Sequence, residues 1–155
     1  MNHKKIELNS SINKDLELIL VQIAKWHNFA PKLWNPDYRA STEAIEKTVQ
    51  RIKNTKSEDL FLTIVEDEQS QMQGFIWAYK QENSQDSVMI LSLYITEDFR
   101  GKGLAKHLKI LLEEWCRNEG IKTIQTTTHY KNHNMIALNQ KLGYIPGMVN
   151  MTKTL

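Results

Sequence analysis

Residues 87–106 read SVMILSLYITEDFRGKGLAK, and their division into three unlike pieces decides the fold. Ser87–Thr96 is almost wholly apolar, so it reads as a strand covered on both faces. Glu97–Gly103 is a polar loop holding Gly101 and Gly103, where the main chain can turn and aim its N–H groups outward. From Gly103 the apolar spacing becomes helical: Leu104, Leu108, Leu111, Leu112 and Trp115 share one side, and Gly120 stops the helix. A buried strand feeding through glycines into a helix places free N–H groups and a positive dipole end at one spot. Such a spot suits an anion, a phosphate above all.

The charges of this helix agree. Arg100, Lys102 and Lys106 stand at its start and Glu113 and Glu114 nearer its end. The dipole favours the reverse, by about 0.3–1 kcal/mol for each exposed charge. A docked anion offsets that cost; the plainer alternative is a solvated helix face in which Glu113 and Arg117 form an i,i+4 pair. A P-loop would need Gly-x-x-x-x-Gly-Lys-Ser/Thr, which is absent, and a dinucleotide fingerprint would need a small residue where Lys106 stands.

Outward from this stretch, Asp59–Glu66 and Gly74–Lys80 are strands separated by polar turns at Glu66–Gln73 and Glu82–Asp86. With Ser87–Thr96 they form an antiparallel meander. Residues 3–9 make a first strand. Asn13 or Ser11 caps a helix running to Asn28, on which Leu16, Ile19, Leu20, Ile23 and Ala24 follow the helical period. Pro31 and Pro36 interrupt the chain around Trp34. Ser41 opens a second helix, with Ala44, Ile45, Val49 and Ile52 inward, that fades near Asn54. Downstream, Ile121–His129 is a strand, Asn132–Leu142 a short helix ended by Gly143, and Tyr144–Leu155 gives one or two closing strands. The order β-α-α-β-β-β-α-β-α-β predicts an α/β (α+β) fold in one domain spanning 1–155, a mixed, mostly antiparallel central sheet flanked by helices.

Composition narrows the class. At 155 residues a sizeable core forms without staples. Twenty Lys and Arg against 18 Asp and Glu leave +2, too mild to argue for nucleic acid or a membrane surface. A single cysteine, Cys116, excludes an intramolecular disulfide and a cysteine-based zinc site, and reads as a packed thiol within a helix. His129 and His133 straddle a strand end and a loop and make a poor metal pair, so no metal is expected. The first residues lack the apolar run of an export signal, and a reducing cytoplasm is the expected location.

Arg100-Gly101-Lys102-Gly103-Leu104-Ala105 fits Arg/Gln-x-x-Gly-x-Gly/Ala. In its strand-loop-helix setting it resembles the acetyl-CoA pyrophosphate loop of the GNAT superfamily of N-acetyltransferases. Asn132-x-x-Met135-x-x-x-Asn139-x-Lys141-Leu142-Gly143-Tyr144 is similar to that family's second motif, and Met151-x-Lys153-x-Leu155 to its last strand. The element order resembles the family from near residue 4 to the end.

The resemblance implies an acetyl-CoA-dependent N-acetyltransferase acting on a primary amine of a small molecule or peptide. Acetyl-CoA would be the acyl donor, and a homodimer through the C-terminal strands would be in keeping with the family. It implies that the strand end at Leu93, Tyr94 and Ile95 carries a bulge and splays from Thr123–His129. The acyl-pantetheine arm would fill the gap, and an N–H near Ile95 would polarise the thioester carbonyl. Arg100, Gly101, Lys102, Gly103, Leu104, Ala105 and Lys106 would hold the pyrophosphate, mainly through main-chain N–H groups, and Asn132 would reach the pantetheine. Where many relatives carry a tyrosine general acid this chain has Asn139, which can donate a hydrogen bond but cannot protonate a thiolate. Tyr130 or Tyr144 could take that task, although Tyr144 reads better as core.

An amine nucleophile with a pKa of about 10.4 must lose a proton. Glu97, Glu82, Tyr94 and His129 are the candidates to take it, directly or through water. The family places the acceptor between the first two helices, here Trp26, His27, Phe29, Trp34, Asp37 and Tyr38, an aromatic-rich stretch able to hold a cation. Phe75, Trp77 and Tyr79 alternate on one strand, and one of their faces could reach the same pocket. Two competing readings remain: a catalytically weak CoA-binding or regulatory module, and a nucleotide-binding protein using the same loop.

Overall fold

A computed structural model describes residues 1–8 and 12–155. The elements are β1 (Asn2–Lys5), α1 (Lys14–Phe29), α2 (Thr42–Asn54), β2 (Leu60–Glu66), β3 (Met72–Gln81), β4 (Ser84–Ile95), α3 (Leu104–Asn118), β5 (Thr123–Thr126) and α4 (His133–Lys141). Short 3-10 turns at Ala30–Leu33 and Glu97–Phe99 precede α2 and α3.

The strands lie in sequence order in one sheet. β1 to β4 pair antiparallel, and β5 runs parallel to β4 after the α3 crossover. β2 is buried along six of its seven residues because helices cover both of its faces. Leu60, Leu62 and Ile64 alternate with Phe61 and Val65 and so serve two cores. On one face Leu20, Ile23 and Ala24 of α1 and Val49 and Ile52 of α2 pack with Phe75 and Trp77. On the other, Leu108, Leu112 and Cys116 of α3 pack with Ile76, Ala78, Val88 and Ile90. Burial pushes the Cys116 thiol up to about 11, as suits a packed rather than a reactive cysteine.

The helix starts follow their caps. Asn13 Oδ1 accepts from the Leu16 N–H at 2.8 Å, and Ser41 Oγ accepts from the Ala44 N–H at 3.0 Å. Ser11, the other expected cap of α1, lies outside the described residues.

Three expectations need correction. The closing strand over Tyr144–Leu155 does not form: residues 145–155 have no regular structure and are exposed. An extended segment is stabilised by pairing with a neighbouring strand, and among the described residues this one has none. β5 ends at Thr126, short of His129. β4 is buried at Val88 and Ile90 but only half-buried from Leu91 to Tyr94, so it is not covered on both faces throughout. The last two corrections share a cause, which is that β4 and β5 part company.

Candidate functional site

The β4–β5 ladder has four partners, from Ser87 opposite Thr123 to Ile90 opposite Thr126. β4 then runs on to Ile95 beside β3 alone. Its register slips at Leu91, the extra residue between Ile90 opposite Ala78 and Ser92 opposite Trp77. Such a bulge bends the strand and raises its twist. The bulge also resets the alternation: Val88 and Ile90 face α3, and so do Leu93 and Ile95.

The Thr96 N–H donates to Gln73 O at 2.9 Å, which sets the parity of the ladder. Ser92 and Tyr94 therefore aim their main-chain groups at β3, while Leu93 and Ile95 aim theirs into the gap. Gly74, opposite Ile95, allows the close approach, since a Cβ there would lie 2.7 Å from Tyr94 O.

The end of this gap is closed by the loop. Ile95 O accepts from Arg100 Nε at 2.9 Å, folding the loop back on the strand. The Arg100 guanidinium lies 5.6 Å from the Tyr94 ring centroid, and that ring packs 4.8 Å from Trp26 of α1. On the β2–β3 side, Asp67 Oδ2 accepts from Gln73 Nε2 at 2.6 Å, and Gln73 Oε1 accepts from Thr96 Oγ1 at 2.8 Å. The carboxyl of Asp67 lies below the usual carboxylate range, chiefly because the Gln71 N–H donates to it.

Gly101 and Gly103 take φ of 73° and 78°, the left-handed region where a Cβ is strained. Gly103 caps α3 without a side chain, and the first bond of the helix runs from the His107 N–H to Gly103 O at 2.9 Å. Among the described residues, no acceptor within the chain meets the N–H groups of residues 101–106. Lys102 Nζ lies 4.6 Å from the Phe99 ring centroid, and Lys106 is exposed.

α4 brings the second motif to the far wall. Asn132 caps it, Oδ1 accepting from the Met135 N–H at 3.2 Å and leaving the side-chain NH2 to donate elsewhere. Asn139 is buried. Its Nδ2 donates to Thr128 Oγ1 at 3.3 Å, while among the described residues Oδ1 has no partner. Tyr144 packs on the α3 side under Lys109 Nζ, 4.6 Å from its ring centroid. Burial pushes its phenol up to about 12, so it is core.

The expected acceptor wall divides. The Trp34 ring stacks on His129, centroids 4.8 Å apart and planes 4° from parallel, joining the α1–α2 connection to the chain beyond β5. His129 also stacks on Tyr130 and accepts from the Lys131 N–H through Nδ1. His27 instead meets Trp77 edge-on at 5.3 Å, and burial, aided by the Arg51 charge, lowers its pKa. Phe75 and Trp77 are fully buried under α1, so their faces do not reach a pocket.

Of the proton acceptors, Tyr94 lies beside the gap and Glu97 stands exposed in the turn. Glu82 sits at the β3–β4 hairpin, separated from Ser92 by roughly 25 Å of strand, and drops out. Sequence reasoning missed the Thr128–Asn139 contact, the Gln73–Asp67 brace and the Trp34–His129 stack, since none has a fixed spacing. Among the described residues, no three His, Cys, Asp or Glu side chains group to hold a metal, and no helix is long and apolar enough to cross a membrane.

A bulged strand thus parts from its parallel neighbour and ends in a glycine loop at a bare helix start, the arrangement that the resemblance to the N-acetyltransferases implies. The model of the acetyltransferase (GNAT) family matches residues 21–144, and the chain belongs to that family. It is 30% identical over 135 residues to the uncharacterized N-acetyltransferase YdgE of Bacillus subtilis (strain 168), covering 83% of this chain and 85% of that one. It is 34% identical over 86 residues to the L-2,4-diaminobutyric acid acetyltransferase of Vibrio parahaemolyticus serotype O3:K6 (strain RIMD 2210633), covering 55% of this chain and 47% of that one. The fold matches AAC(6')-Iy, solved with a CoA-containing bisubstrate analogue, with a TM-score of 0.67 at 17% identity, covering 99% of this chain and 97% of that one. The protein is an acetyltransferase, of a family that takes acetyl-CoA as its substrate.

Proposed function

We propose that this chain transfers the acetyl group of acetyl-CoA directly to a primary amine of a small molecule or peptide. The observation that carries the reading is the open edge of β4, ending where six consecutive main-chain N–H groups, 101–106, meet no acceptor among the described residues. A diphosphate supplies the missing acceptors, and the helix dipole adds to its attraction. Arg100 braces the loop through Nε and keeps its terminal N–H groups for the anion.

The pantetheine arm lies along the gap as a substitute strand. It pairs with the main-chain groups of Leu93 and Ile95, and the side-chain NH2 of Asn132 donates to it. The Ile95 N–H, aimed into the gap, donates to the thioester oxygen as negative charge develops there. The amine, entering past the Trp34–His129 stack, attacks the thioester carbon. The tetrahedral intermediate collapses, the C–S bond breaks, and CoA leaves as thiolate. Before the attack the ammonium gives one proton through water to Glu97, the exposed carboxylate of the turn; the second, from the nitrogen of the intermediate, passes through water to the departing thiolate, and Tyr94 orders the entrance between Trp26 and Arg100.

Asn139 supports the thiolate. With its amide turned so that Thr128 Oγ1 donates to the carbonyl oxygen, the buried NH2 points a donor at the leaving sulfur. This arrangement leaves no buried acceptor orphaned.

The test is thiol release from acetyl-CoA across an amine panel, beginning with diamino acids because a relative is named for one. Release with one amine class and stabilisation of the fold by CoA are expected. A folded protein that neither binds CoA nor releases thiol would refute the proposal.

A further inference from the structure

Arg51 of α2 is an exposed cation that the chain does not pair. Arg39, Arg100 and Arg117 each donate to an acceptor within the chain, and Lys47 and Lys53, its neighbours on α2, pair with Glu43 and Glu17 at 2.7 Å. Among the described residues Arg51 meets no carboxylate and donates no side-chain hydrogen bond. Its guanidinium is nonetheless held in place, 5.7 Å from the Trp77 ring centroid and 5.3 Å from that of Tyr79. Stacking on two rings fixes the planar group and leaves its N–H edges free, the geometry that takes a carboxylate with two hydrogen bonds.

The sheet beside it is open. Trp77 lies opposite Ser92 and Tyr79 opposite Met89, with the bulged Leu91 between, so the guanidinium stands level with the point where β4 leaves β5. Cross-strand partners share a face. On this face Met89, Leu91 and Ser92 are only half-buried, whereas Val88 and Ile90, on the α3 face, are buried, so α1 and α2 leave this part of β4 uncovered. Toward the hairpin, Gln81 Nε2 donates to Gln125 Oε1 at 2.8 Å, bridging β3 to β5 and ending the shelf. From Arg51 over β3 to the gap between β4 and β5 is one and a half strand spacings, roughly 7 Å.

Resting on the acetyl transfer proposed above, we infer that the acceptor amine carries a carboxylate, and that Arg51 binds this carboxylate and so sets its distance from the reacting nitrogen. A carboxylate docked on the guanidinium through hydrogen bonds of about 2.8 Å takes up part of the span to the gap. An aliphatic chain of a few bonds takes up the rest, which suits a free amino acid acetylated at its side-chain amine. His27, edge-on to the same Trp77 ring, has its pKa lowered by burial and by Arg51, so it is mainly neutral at pH 7 and leaves the guanidinium to meet the anion. An amine without the carboxylate forgoes these charge-assisted bonds. The plainer role for Arg51, an aliphatic stem and flat head covering Trp77, makes turnover indifferent to the charge of the acceptor.

The test follows thiol release from acetyl-CoA with free lysine against cadaverine and free ornithine against putrescine, each pair differing only in the carboxylate. The wild-type kcat/KM should favour the carboxylated member by about 10- to 100-fold, the worth of a charge-assisted pair. In Arg51→Met that ratio should fall to near one, with the loss on KM for the amino acid, and Arg51→Lys, a point charge without the fork, should lie between. Thiol release by a wild type that shows no such preference, or by an Arg51→Met that keeps it, overturns the inference and leaves acetyl transfer standing. Product acetylated at the α-amine overturns it as well. A folded wild type that releases thiol with no amine refutes the acetyl transfer itself, and the inference with it. The wild-type comparison and its product need no variant, so they decide the matter even if Arg51→Met misfolds.

Discussion

Gly103→Glu, set beside Gly103→Ala, separates backbone strain from anion binding at the loop. Gly103 has φ of 78°, where any residue with a Cβ is strained by about 1–2 kcal/mol. Nothing lies within 4 Å of the position a Cβ would take, so the Cβ that both variants add meets no clash. For a chain of 155 residues, that strain lowers Tm by roughly 2–8 °C in both variants alike. Only glutamate brings a charge. A carboxylate about 4 Å from one phosphate charge costs about 1 kcal/mol in bulk water and about 4 kcal/mol near a protein surface. Against two charges of a diphosphate the loss is about 2–8 kcal/mol, at least about 30-fold in Kd. Calorimetric titration with CoA reads the affinity, and scanning calorimetry reads Tm. In 1 M salt the screening length falls to about 3 Å, so the gap between the two variants should narrow. If Gly103→Glu binds CoA as tightly as Gly103→Ala at low salt, no anion sits at this helix start and the reasoning fails.

Asn139→Ala should lower kcat by about 10- to 100-fold, the worth of one hydrogen bond to a charged group, with the KM for acetyl-CoA little changed; Thr128→Val should move kcat the same way but less, as steady-state kinetics will show. Gln73→Leu removes the hydrogen bonds to Asp67 and Thr96 and should raise the KM for acetyl-CoA about fivefold, while kcat at saturation holds. Lys109 is buried, and desolvation lowers its pKa to about 8. Between about 8 and the ordinary lysine value of about 10.4 the unfolded chain binds more protons, so stability rises with pH across that window. Lys109→Met should accordingly raise Tm by several degrees at pH 7, an advantage that shrinks above pH 8 and is checked by melting curves from pH 7 to 10.

Most of the fold was legible because its signals are local. The helical spacing of Leu104, Leu108 and Leu112, the caps Asn13 and Ser41, and the alternation of Leu60–Val65 each depend on a few neighbours along the chain. The glycine turn ahead of α3 was legible for the same reason, since Gly101 and Gly103 are needed for a conformation of their own backbone. What failed was non-local. Burial of Ser87–Thr96 was predicted from its apolar run, but whether Leu91–Tyr94 is covered depends on where β5 turns away. Glu82 was a candidate base on composition, and only the hairpin geometry removes it.

The chain alone determined the sequence of elements from β1 to α4 and the strand-loop-helix unit at 87–106 with its glycine turn, because propensity, caps and glycine conformations act over a few residues. The tertiary structure decided that β4 and β5 separate after Ile90, that Trp34 lies against His129 and Asn139 against Thr128, and that 145–155 finds no strand partner on its own sheet. Those outcomes turn on contacts between residues far apart in sequence, whose distances follow from packing two helical layers on one twisted sheet, and spacing along the chain carries no record of them.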